Sequence, residues 1–314
     1  MADLTNVLTN MVEFVLVVVV GYVAGKLEFL DDRTSGKLIG LLMNFTLPAM
    51  LVASVEGLDP DMLGNLLVPA CALGALEFFL LVATSGALAR IIPMKPEDRI
   101  IHTFMGTALN SGFLGLPIIK AIFGDQAVVL ASMFNTVTGL LVFSIGFAML
   151  DQATADTPKR GIRIPWNTLL SPATLGSLVA IAIFLLQIPL PEVVSGTCSM
   201  LGGVTSPVAM LVVGQIMSQM RLSEIVREWR VYPFILVRQL VVPALLFLAL
   251  RALVPSELLV GIFVVVFAMP AGSMSPSYVR NAGLDFELAA KVTILTTIAA
   301  FAAIPALVTL MTVL

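Results

Sequence analysis

Long apolar stretches separated by short polar joints run along this chain. A helix needs about 20 predominantly apolar residues to cross the hydrocarbon core of a bilayer, and stretches of this length follow one another throughout the sequence. Proline, glycine and charged residues mark the joints, as in Asp31-Asp32-Arg33 and in 93–99. The pattern predicts an all-α polytopic membrane protein. Its ten transmembrane helices, numbered as spans 1 to 10, are predicted at 10–28, 36–55, 64–89, 100–123, 126–150, 168–188, 197–218, 230–253, 257–281 and 286–313.

The composition leaves too few polar side chains to coat a soluble globule. Apolar residues make up 59% of the 314 positions before the 23 glycines are counted, and charged residues make up 12%. Soluble domains have about 45–50% apolar residues with glycine included, and about 25% charged residues. The net charge of −3 is spread over short joints, which excludes nucleic acid as a partner. The lipid bilayer is the expected surrounding of the chain.

Common catalytic and metal-binding patterns are missing from the sequence. Cys71 and Cys198 lie inside apolar stretches, and the single histidine, His102, lies where a joint meets span 4. A metal site or a disulfide framework is therefore not expected. The sequence contains no HExxH, Walker A or GxSxG pattern. We expect no enzyme activity, no cofactor and no metal.

Lysine and arginine fall mainly on one side of the predicted topology. Cytoplasmic joints carry an excess of these residues, and the regions after spans 1, 3, 5, 7 and 9 hold fourteen of the seventeen. These regions are predicted to be cytoplasmic, with both termini outside. No lysine or arginine precedes span 1, so a secretory signal is not expected there. The fourteen residues are Lys26, Arg33, Lys37, Arg90, Lys95, Arg99, Lys159, Arg160, Arg163, Arg221, Arg227, Arg230, Arg280 and Lys291.

The prolines indicate an internal repeat. Three pairs of prolines are separated by 159 residues, and the same offset joins Gly124 to Gly283. The offset superimposes span 1 on 6, span 2 on 7, span 4 on 9 and span 5 on 10. Because each repeat, 1–155 and 160–314, then holds five spans, the second must enter the membrane from the opposite face. Such inverted repeats are typical of secondary transporters, with the substrate near the bilayer midplane. The proline pairs are Pro48 and Pro207, Pro96 and Pro255, and Pro117 and Pro276.

Spans 4 and 9 are predicted to break near their centres. Glycine, proline and small polar residues concentrate at 109–117 and 269–276. Proline cannot donate a backbone hydrogen bond and glycine permits non-helical dihedrals, so each span should unwind and restart near Pro117 or Pro276. The first N–H groups of the two restarting helices carry partial positive charge, and together they would hold a small anion. A proline kink in a packed helix is the alternative interpretation.

Three polar residues stand out within the predicted spans. Glu77 lies near the centre of span 3, where an ionised carboxylate costs about 3 kcal/mol or more. A carboxyl that changes its protonation as its surroundings open and close can carry a proton. A permanent ion pair with Arg238 of span 8, or a pore-facing position, would also account for Glu77. Asn135 of span 5 either lines the site or forms a hydrogen bond between helices.

The residues around the break in span 4 resemble helix 4 of the auxin efflux carrier family, which includes the plant PIN exporters. The resemblance consists of Asn110, the Gly-x-Pro that ends at Pro117, and Lys-Ala-x-aromatic-Gly at 120–124. Span 2 is similar through Asn-Phe-Thr-Leu-Pro-Ala at 44–49. The resemblance covers all ten spans and implies an elevator-type carrier that forms a homodimer. In that arrangement spans 1, 2, 6 and 7 form the scaffold and dimer contact, while spans 3–5 and 8–10 carry the substrate.

The resemblance also implies where the substrate binds. Asn110 would contact the substrate carboxylate where spans 4 and 9 cross, Asn135 would correspond to a polar residue on span 5, and Glu77 would be the coupling acid. The long cytoplasmic loop of the plant exporters is reduced to 151–165, as in the short bacterial-type branch, which is linked to malonate and related carboxylates. A bacterial inner membrane is therefore the expected location. The predicted substrate-binding residues are Asn110, Ser111, Gly115, Pro117, Asn135, Ser273, Ser275 and Pro276, with Glu77 for proton coupling and Arg238 as its possible ion-pair partner.

Together these features predict a secondary active transporter of a small organic anion, malonate-like or auxin-like. Protons or the gradient of the anion itself would drive it. The alternative function is an anion channel or a membrane ligand sensor built on the same broken helices. A sensor would bind without flux, and a channel would give flux without counterflow.

The topology can be tested by labelling a cysteine introduced at Thr157, in a background that lacks Cys71 and Cys198. Because residues 151–165 are predicted to be cytoplasmic, this cysteine should resist a membrane-impermeant thiol reagent on whole cells. Ready labelling of intact cells would reverse the predicted orientation.

Overall fold

Helices fill most of the chain in a computed structural model, which describes residues 4–55, 60–154, 172–219 and 227–314. Within these residues the regular secondary structure is helical apart from one isolated β-bridge. Residues 155–171, with Thr157 and the start of the second predicted repeat, and 220–226, with Arg221, lie outside the described residues. The α-helices are Leu4–Lys26, Asp32–Leu41, Leu47–Ala53, Pro60–Ile91, Pro96–Thr107, Leu116–Phe123, Asp125–Leu141, Phe147–Thr154, Pro172–Leu185, Glu192–Gly203, Thr205–Ser218, Val231–Ile235, Val242–Leu253, Glu257–Phe267, Ser275–Asn281 and Phe286–Val313.

Six helical stretches in the described part of the chain are long and apolar enough to cross a membrane. The regions predicted as spans 4 and 9 each contain two shorter helices instead, within 96–123 and 257–281. An all-helical chain with several membrane-crossing helices is a polytopic membrane protein. The six stretches are Asp32–Ala53, Asn65–Ile91, Asp125–Leu150, Glu192–Ser218, Val231–Leu253 and Phe286–Val313.

Wide π-helical turns interrupt several of these stretches, and the apolar pattern does not predict them. Three of the turns are followed, two residues after their end, by a proline, which is Pro48, Pro117 or Pro243. A proline inside a helix cannot donate to the carbonyl four residues earlier, and its ring clashes with that carbonyl. A π turn widens the backbone at this carbonyl, so we attribute these three turns to the prolines. The π turns of the described residues are Leu42–Thr46, Ser111–Gly115, Val142–Gly146 and Leu236–Val241.

Side-chain caps fix where some of the helices begin. The carboxylate of Asp31 accepts a hydrogen bond from the backbone N–H of Thr34 at 2.7 Å, and the hydrogen bonds from Thr34 hold the pKa of Asp31 below its ordinary value. Asp285 accepts in the same way from the N–H groups of Glu287 and Leu288, at 2.8 and 3.1 Å. Each cap satisfies donors that the first helical turn leaves free.

The two short helices that follow the breaks have the same residue types near their start and just after their end. Leu116–Phe123 and Ser275–Asn281 each have proline as their second residue. Each is followed by a glycine with a positive φ, 83° at Gly124 and 77° at Gly283. Side chains disfavour this backbone region, so glycine suits the point where such a helix stops.

The first of two compact units contains residues 1–72, 112–136 and 166–220. Its helices Leu4–Lys26 and Thr205–Ser218 pack with their backbones in close approach. A Cβ atom on Gly21 would overlap the backbone oxygen of Leu211, and one on Gly214 would overlap that of Val18. Glycine–backbone contacts of this kind are typical of helix pairs in membranes, where small residues allow van der Waals packing.

The second unit contains residues 73–111, 137–165 and 221–314. Its centre is the helix Glu257–Phe267, whose residues from Leu259 onward are all buried. Gly106 lies in another close contact of this unit, because a Cβ there would overlap Phe234 and the hydroxyl of Ser85. The buried helix ends where the break in span 9 begins, so the best-packed part of this unit adjoins the candidate site.

Replacing Gly214 with alanine tests the packing of the first unit. The added methyl would overlap backbone atoms of Val18 and Tyr22, so Gly214→Ala should destabilise the folded protein by about 1–3 kcal/mol. Gly36→Ala is the matched control, since no atom of the described residues lies within 4 Å of a Cβ at that helical position. The melting temperature of the purified protein in detergent should fall for Gly214→Ala and hold or rise for Gly36→Ala. Equal melting temperatures would contradict the close packing.

Candidate functional site

Two broken spans meet through a short antiparallel β-bridge in the second unit. The bridge joins Leu109 to Ala271. The backbone N–H of Asn110 donates to the oxygen of Pro270, and the N–H of Gly272 donates to the oxygen of Ala108, each at 2.8 Å. We call residues 108–110 and 269–273 the crossing. Backbone groups released by one unwound helix thus bind those released by the other, which is how irregular backbone is tolerated inside a membrane.

Polar side chains reinforce the crossing. The amide nitrogen Nδ2 of Asn110 donates to the hydroxyl of Ser273 at 2.9 Å. The hydroxyl of Ser275 donates to the backbone oxygen of Ala108 at 3.4 Å. Asn110 and Ser275 are each 3% exposed, so their polar atoms lie out of contact with bulk solvent. These three predicted site residues are therefore brought together by the fold.

Glycine at position 272 permits the close approach of the two segments. A Cβ there would lie 2.8 Å from the hydroxyl of Ser275 and 3.2 Å from the backbone oxygen of Ala108. By contrast, a Cβ on Gly112, just after the first break, would meet no atom within 4 Å. The crossing is therefore closely packed at Gly272, whereas Gly112 lies outside the crossing.

Two adjacent side chains from the π turn Leu236–Val241 bind carbonyls at the break in span 9. Nη1 of Arg238 donates to the backbone oxygen of Met269 at 2.5 Å. Nε2 of Gln239 donates to the oxygens of Ala268 at 3.1 Å and Thr296 at 3.0 Å. These donors neutralise the negative C-terminal end of the helix Glu257–Phe267. Both side chains are fully buried.

Thr296 completes the support of the crossing. Its hydroxyl accepts a hydrogen bond from the backbone N–H of Ala271 at 3.1 Å, and it donates within its own helix to the oxygens of Val292 and Thr293. The freed N–H of Ala271 therefore has a partner although its helix has ended.

Glu77 lies fully buried in the same unit. Its Oε2 accepts a hydrogen bond from the hydroxyl of Thr138 at 3.3 Å, and that hydroxyl is also 3.1 Å from the backbone oxygen of Gly74. Glu77 and Arg238 attract each other electrostatically, but their hydrogen bonds go to different groups. The two charges are thus near each other without direct hydrogen bonding.

The remaining predicted site residues lie outside the crossing. Ser111 and Gly115 begin and end the π turn Ser111–Gly115, and Pro117 is the second residue of the helix Leu116–Phe123. Pro276 is buried as the second residue of Ser275–Asn281. Gly115, Pro117 and the half-buried Asn135 belong to the first unit.

Two other polar residues of span 4 have local partners. Lys120 forms an ion pair with Asp125 at 2.6 Å. His102 is fully buried, with Nδ1 2.9 Å from the backbone oxygen of Asp98 and its ring packed edge-on against Phe234. Within the described residues, no group of three or more His, Cys, Asp or Glu side chains could hold a metal ion.

Sequence reasoning missed Thr138, Gln239 and Thr296. Gln239 had a signal, because it follows Arg238 directly within an otherwise apolar stretch and a second polar residue there needs a partner. Thr138 and Thr296 had none, since threonines that donate to their own helix are common in this chain.

The role of Thr296 can be isolated by comparing two neighbouring substitutions. Thr296→Val leaves the buried N–H of Ala271 without its acceptor, which should cost about 1–3 kcal/mol of stability. Thr297→Val is the control, because Thr297 is also buried and its hydroxyl donates to Thr293 of its own helix. The melting temperature should fall clearly further for Thr296→Val. Equal losses would mean that the bond to Ala271 contributes nothing.

Comparison with known proteins agrees with the membrane architecture. Residues 6–308 match the membrane transport protein family. A stretch of 201 residues is 24% identical to an uncharacterized transporter of Methanothermobacter thermautotrophicus, and it covers 63% of this chain and 64% of that protein. The chain therefore spans just under two thirds of that relative's length. The family match covers nearly the whole chain, which belongs to the membrane transport protein family, the auxin efflux carrier family that its sequence resembles.

Proposed function

We propose that this membrane transport protein is a secondary active carrier of a small organic anion, a malonate-like or auxin-like carboxylate, and that the substrate binds at the crossing. The observation that carries the proposal is the hydrogen-bonded meeting of two broken helices with Asn110 and Ser273 at its centre. Broken helices at corresponding places in two repeats are the usual binding site of secondary transporters.

The chemistry of the crossing favours an anion over a cation. A metal or ammonium cation would need free oxygen ligands. The backbone oxygens of Ala108, Ala268, Met269 and Pro270 already accept hydrogen bonds from protein donors. Arg238, whose buried guanidinium carries a positive charge, donates to one of these oxygens, that of Met269. A negatively charged substrate would offset that charge, whereas a cation would add to it.

We further propose ten spans arranged as two inverted repeats. The helices that follow the breaks start 159 residues apart, since 275 − 116 = 159, and their positive-φ glycines have the same separation, since 283 − 124 = 159. The bridging residues Leu109 and Ala271 are 162 apart, so the first repeat has three more residues between bridge and helix. The π turn Ser111–Gly115 accommodates them.

The elevator mechanism, the homodimer and the orientation are parts of the same proposal. Predicted spans 1, 2, 6 and 7 fall largely in the first unit, and spans 8–10 fall in the second, which supports a scaffold and a transport domain. Residues 112–136 of spans 4 and 5 group with the first unit. We propose a bacterial inner membrane with both termini outside, from the lysine and arginine distribution and the family resemblance.

A thermal-shift screen followed by counterflow tests the function. Acetate, malonate, succinate and indole-3-acetate are added to the purified protein at an acidic and a neutral pH, because a ligand of the folded state raises the melting temperature. The carboxylate that binds is then loaded into proteoliposomes, where a carrier gives counterflow. Binding without flux would indicate a sensor, flux without counterflow a channel, and no binding by any carboxylate would refute the proposal.

Replacing Asn110 with alanine tests the location of the site. Asn110→Ala should weaken carboxylate binding by about 1–3 kcal/mol, because a polar partner is lost. Thr107→Val is the control, since Thr107 lies three residues before Asn110 and its buried hydroxyl donates only within its own helix in the described contacts. Titration calorimetry on folded protein measures both affinities. An unchanged affinity in Asn110→Ala would place the substrate elsewhere.

Replacing Glu77 with glutamine tests proton coupling. Glutamine mimics the neutral carboxyl and can still accept from Thr138, so the variant should fold and exchange substrate yet lose its response to an imposed pH gradient. If Glu77 is instead the permanent counter-ion of Arg238, the change should cost about 3–5 kcal/mol even with saturating carboxylate present, and Arg238→Met in the same protein should restore the melting temperature. Uphill, pH-driven uptake by a stable Glu77→Gln protein would eliminate the proton role.

A further inference from the structure

Arg238 has hydrogen-bonding capacity that its structural role does not use. The guanidinium is fully buried, and among the described residues only its Nη1 has a hydrogen-bond partner, the backbone oxygen of Met269. Nε and Nη2 have no hydrogen-bond partner among the described residues. These two nitrogens form one edge of the planar guanidinium, and their parallel N–H groups match the two oxygens of a carboxylate.

The buried acid of the same unit has a complementary free position. Oε2 of Glu77 accepts from Thr138, while Oε1 has no hydrogen-bond partner among the described residues. Glu77 and Arg238 interact electrostatically with each other, and neither interacts in this way with another charged group in the described part of the unit. A buried arginine whose negative partner is near but not hydrogen-bonded to it can exchange one carboxylate for another.

We propose that the free edge of Arg238 binds the carboxylate of the transported anion, and that the carboxylate of Glu77 competes for the same edge. This inference rests on the proposed function and adds to it the residue that recognises the charge. When Glu77 takes up a proton from water, it no longer offers a negative charge to Arg238. The substrate carboxylate can then supply that charge, so one proton and one carboxylate enter together.

Electrostatics explains why the two events are linked. Arg238 with a neutral Glu77 and no anion is an uncompensated buried cation, and Arg238 with both carboxylates ionised has one excess negative charge. The two balanced arrangements are ionised Glu77 without substrate and protonated Glu77 with substrate. For a monocarboxylate the transported complex therefore carries the same net charge as the empty carrier, which reduces the cost of moving it through the membrane.

Arg238 also contacts the crossing directly. The oxygen of Met269 that accepts from Nη1 belongs to the residue before Pro270, whose own oxygen accepts from the N–H of Asn110. A carboxylate held by Arg238 would thus be bound to the segment that joins the two broken helices. Arg251 of the same span has no such position, because its guanidinium is exposed and donates to the oxygen of Leu314.

Calorimetry on the purified full chain tests this inference with the four carboxylates of the screen. Wild-type affinity should weaken as the pH rises, by up to about tenfold per unit. Titrations in two buffers of different ionisation enthalpy should show about one more proton taken up per carboxylate by the wild type than by Glu77→Gln. Glu77→Gln should bind tightly at both pH values. Arg251→Gln should match the wild type.

Two changes at Arg238 complete the test. Arg238→Lys retains a positive charge but lacks the paired N–H edge, and its affinity should fall at least about tenfold. The double variant Glu77→Gln with Arg238→Gln has no unpaired buried charge, so it should fold and fail to bind. Wild-type affinity in Arg238→Lys or in the double variant would overturn this inference and leave the proposed function standing. Equal proton uptake by the wild type and Glu77→Gln would do the same. No binding of any carboxylate by the wild type would overturn the proposed function with it.

Discussion

The candidate site depends on one constraint: backbone N–H and C=O groups that are freed where two helices break must find hydrogen-bond partners. A peptide group without a partner in hydrocarbon costs several kcal/mol, and each break releases several such groups. Here the two breaks supply partners to each other, through the reciprocal bonds Asn110–Pro270 and Gly272–Ala108. Each break thus provides hydrogen-bond partners for backbone groups of the other. The polar character of the candidate site therefore follows from the two breaks, whose freed backbone groups are hydrogen-bonded to each other at one place.

Groups outside the two broken spans complete the solution. Gln239 and Arg238 bind the carbonyls at the end of the helix Glu257–Phe267, and Thr296 binds the N–H of Ala271. Along the chain, Arg238 and Gln239 precede the break in span 9, and Thr296 follows it. The arrangement places the buried guanidinium of Arg238 against the crossing and gives each of the four carbonyls described above a protein donor.

Much of the helical architecture could be predicted from the sequence because it depends on local features. Apolar stretches of membrane-crossing length and the prolines between them locate the described helices to within about six residues, and the clusters at 109–117 and 269–276 locate the breaks. The π turns could not be predicted in the same way. Pro48 and Pro243 follow π turns inside continuous helical stretches, whereas Pro117 follows a π turn that adjoins the unwound residues 108–110. Pro276 follows unwound residues without a π turn. Proline alone does not distinguish these outcomes.

The partners of the buried polar residues depend on contacts distant in sequence, which a single sequence does not specify. Sequence reasoning selected Glu77 and Arg238 because charges are rare in membrane helices, and it paired them because each was the other's available opposite charge. The structure gives their hydrogen bonds to Thr138 and to the oxygen of Met269. A direct and permanent salt bridge would have consumed the free edge of the guanidinium. Because the two groups interact electrostatically but are not hydrogen-bonded to each other, each remains able to respond to a third group. The proposed coupling requires this condition, since the proton and the substrate must change each other's binding energy.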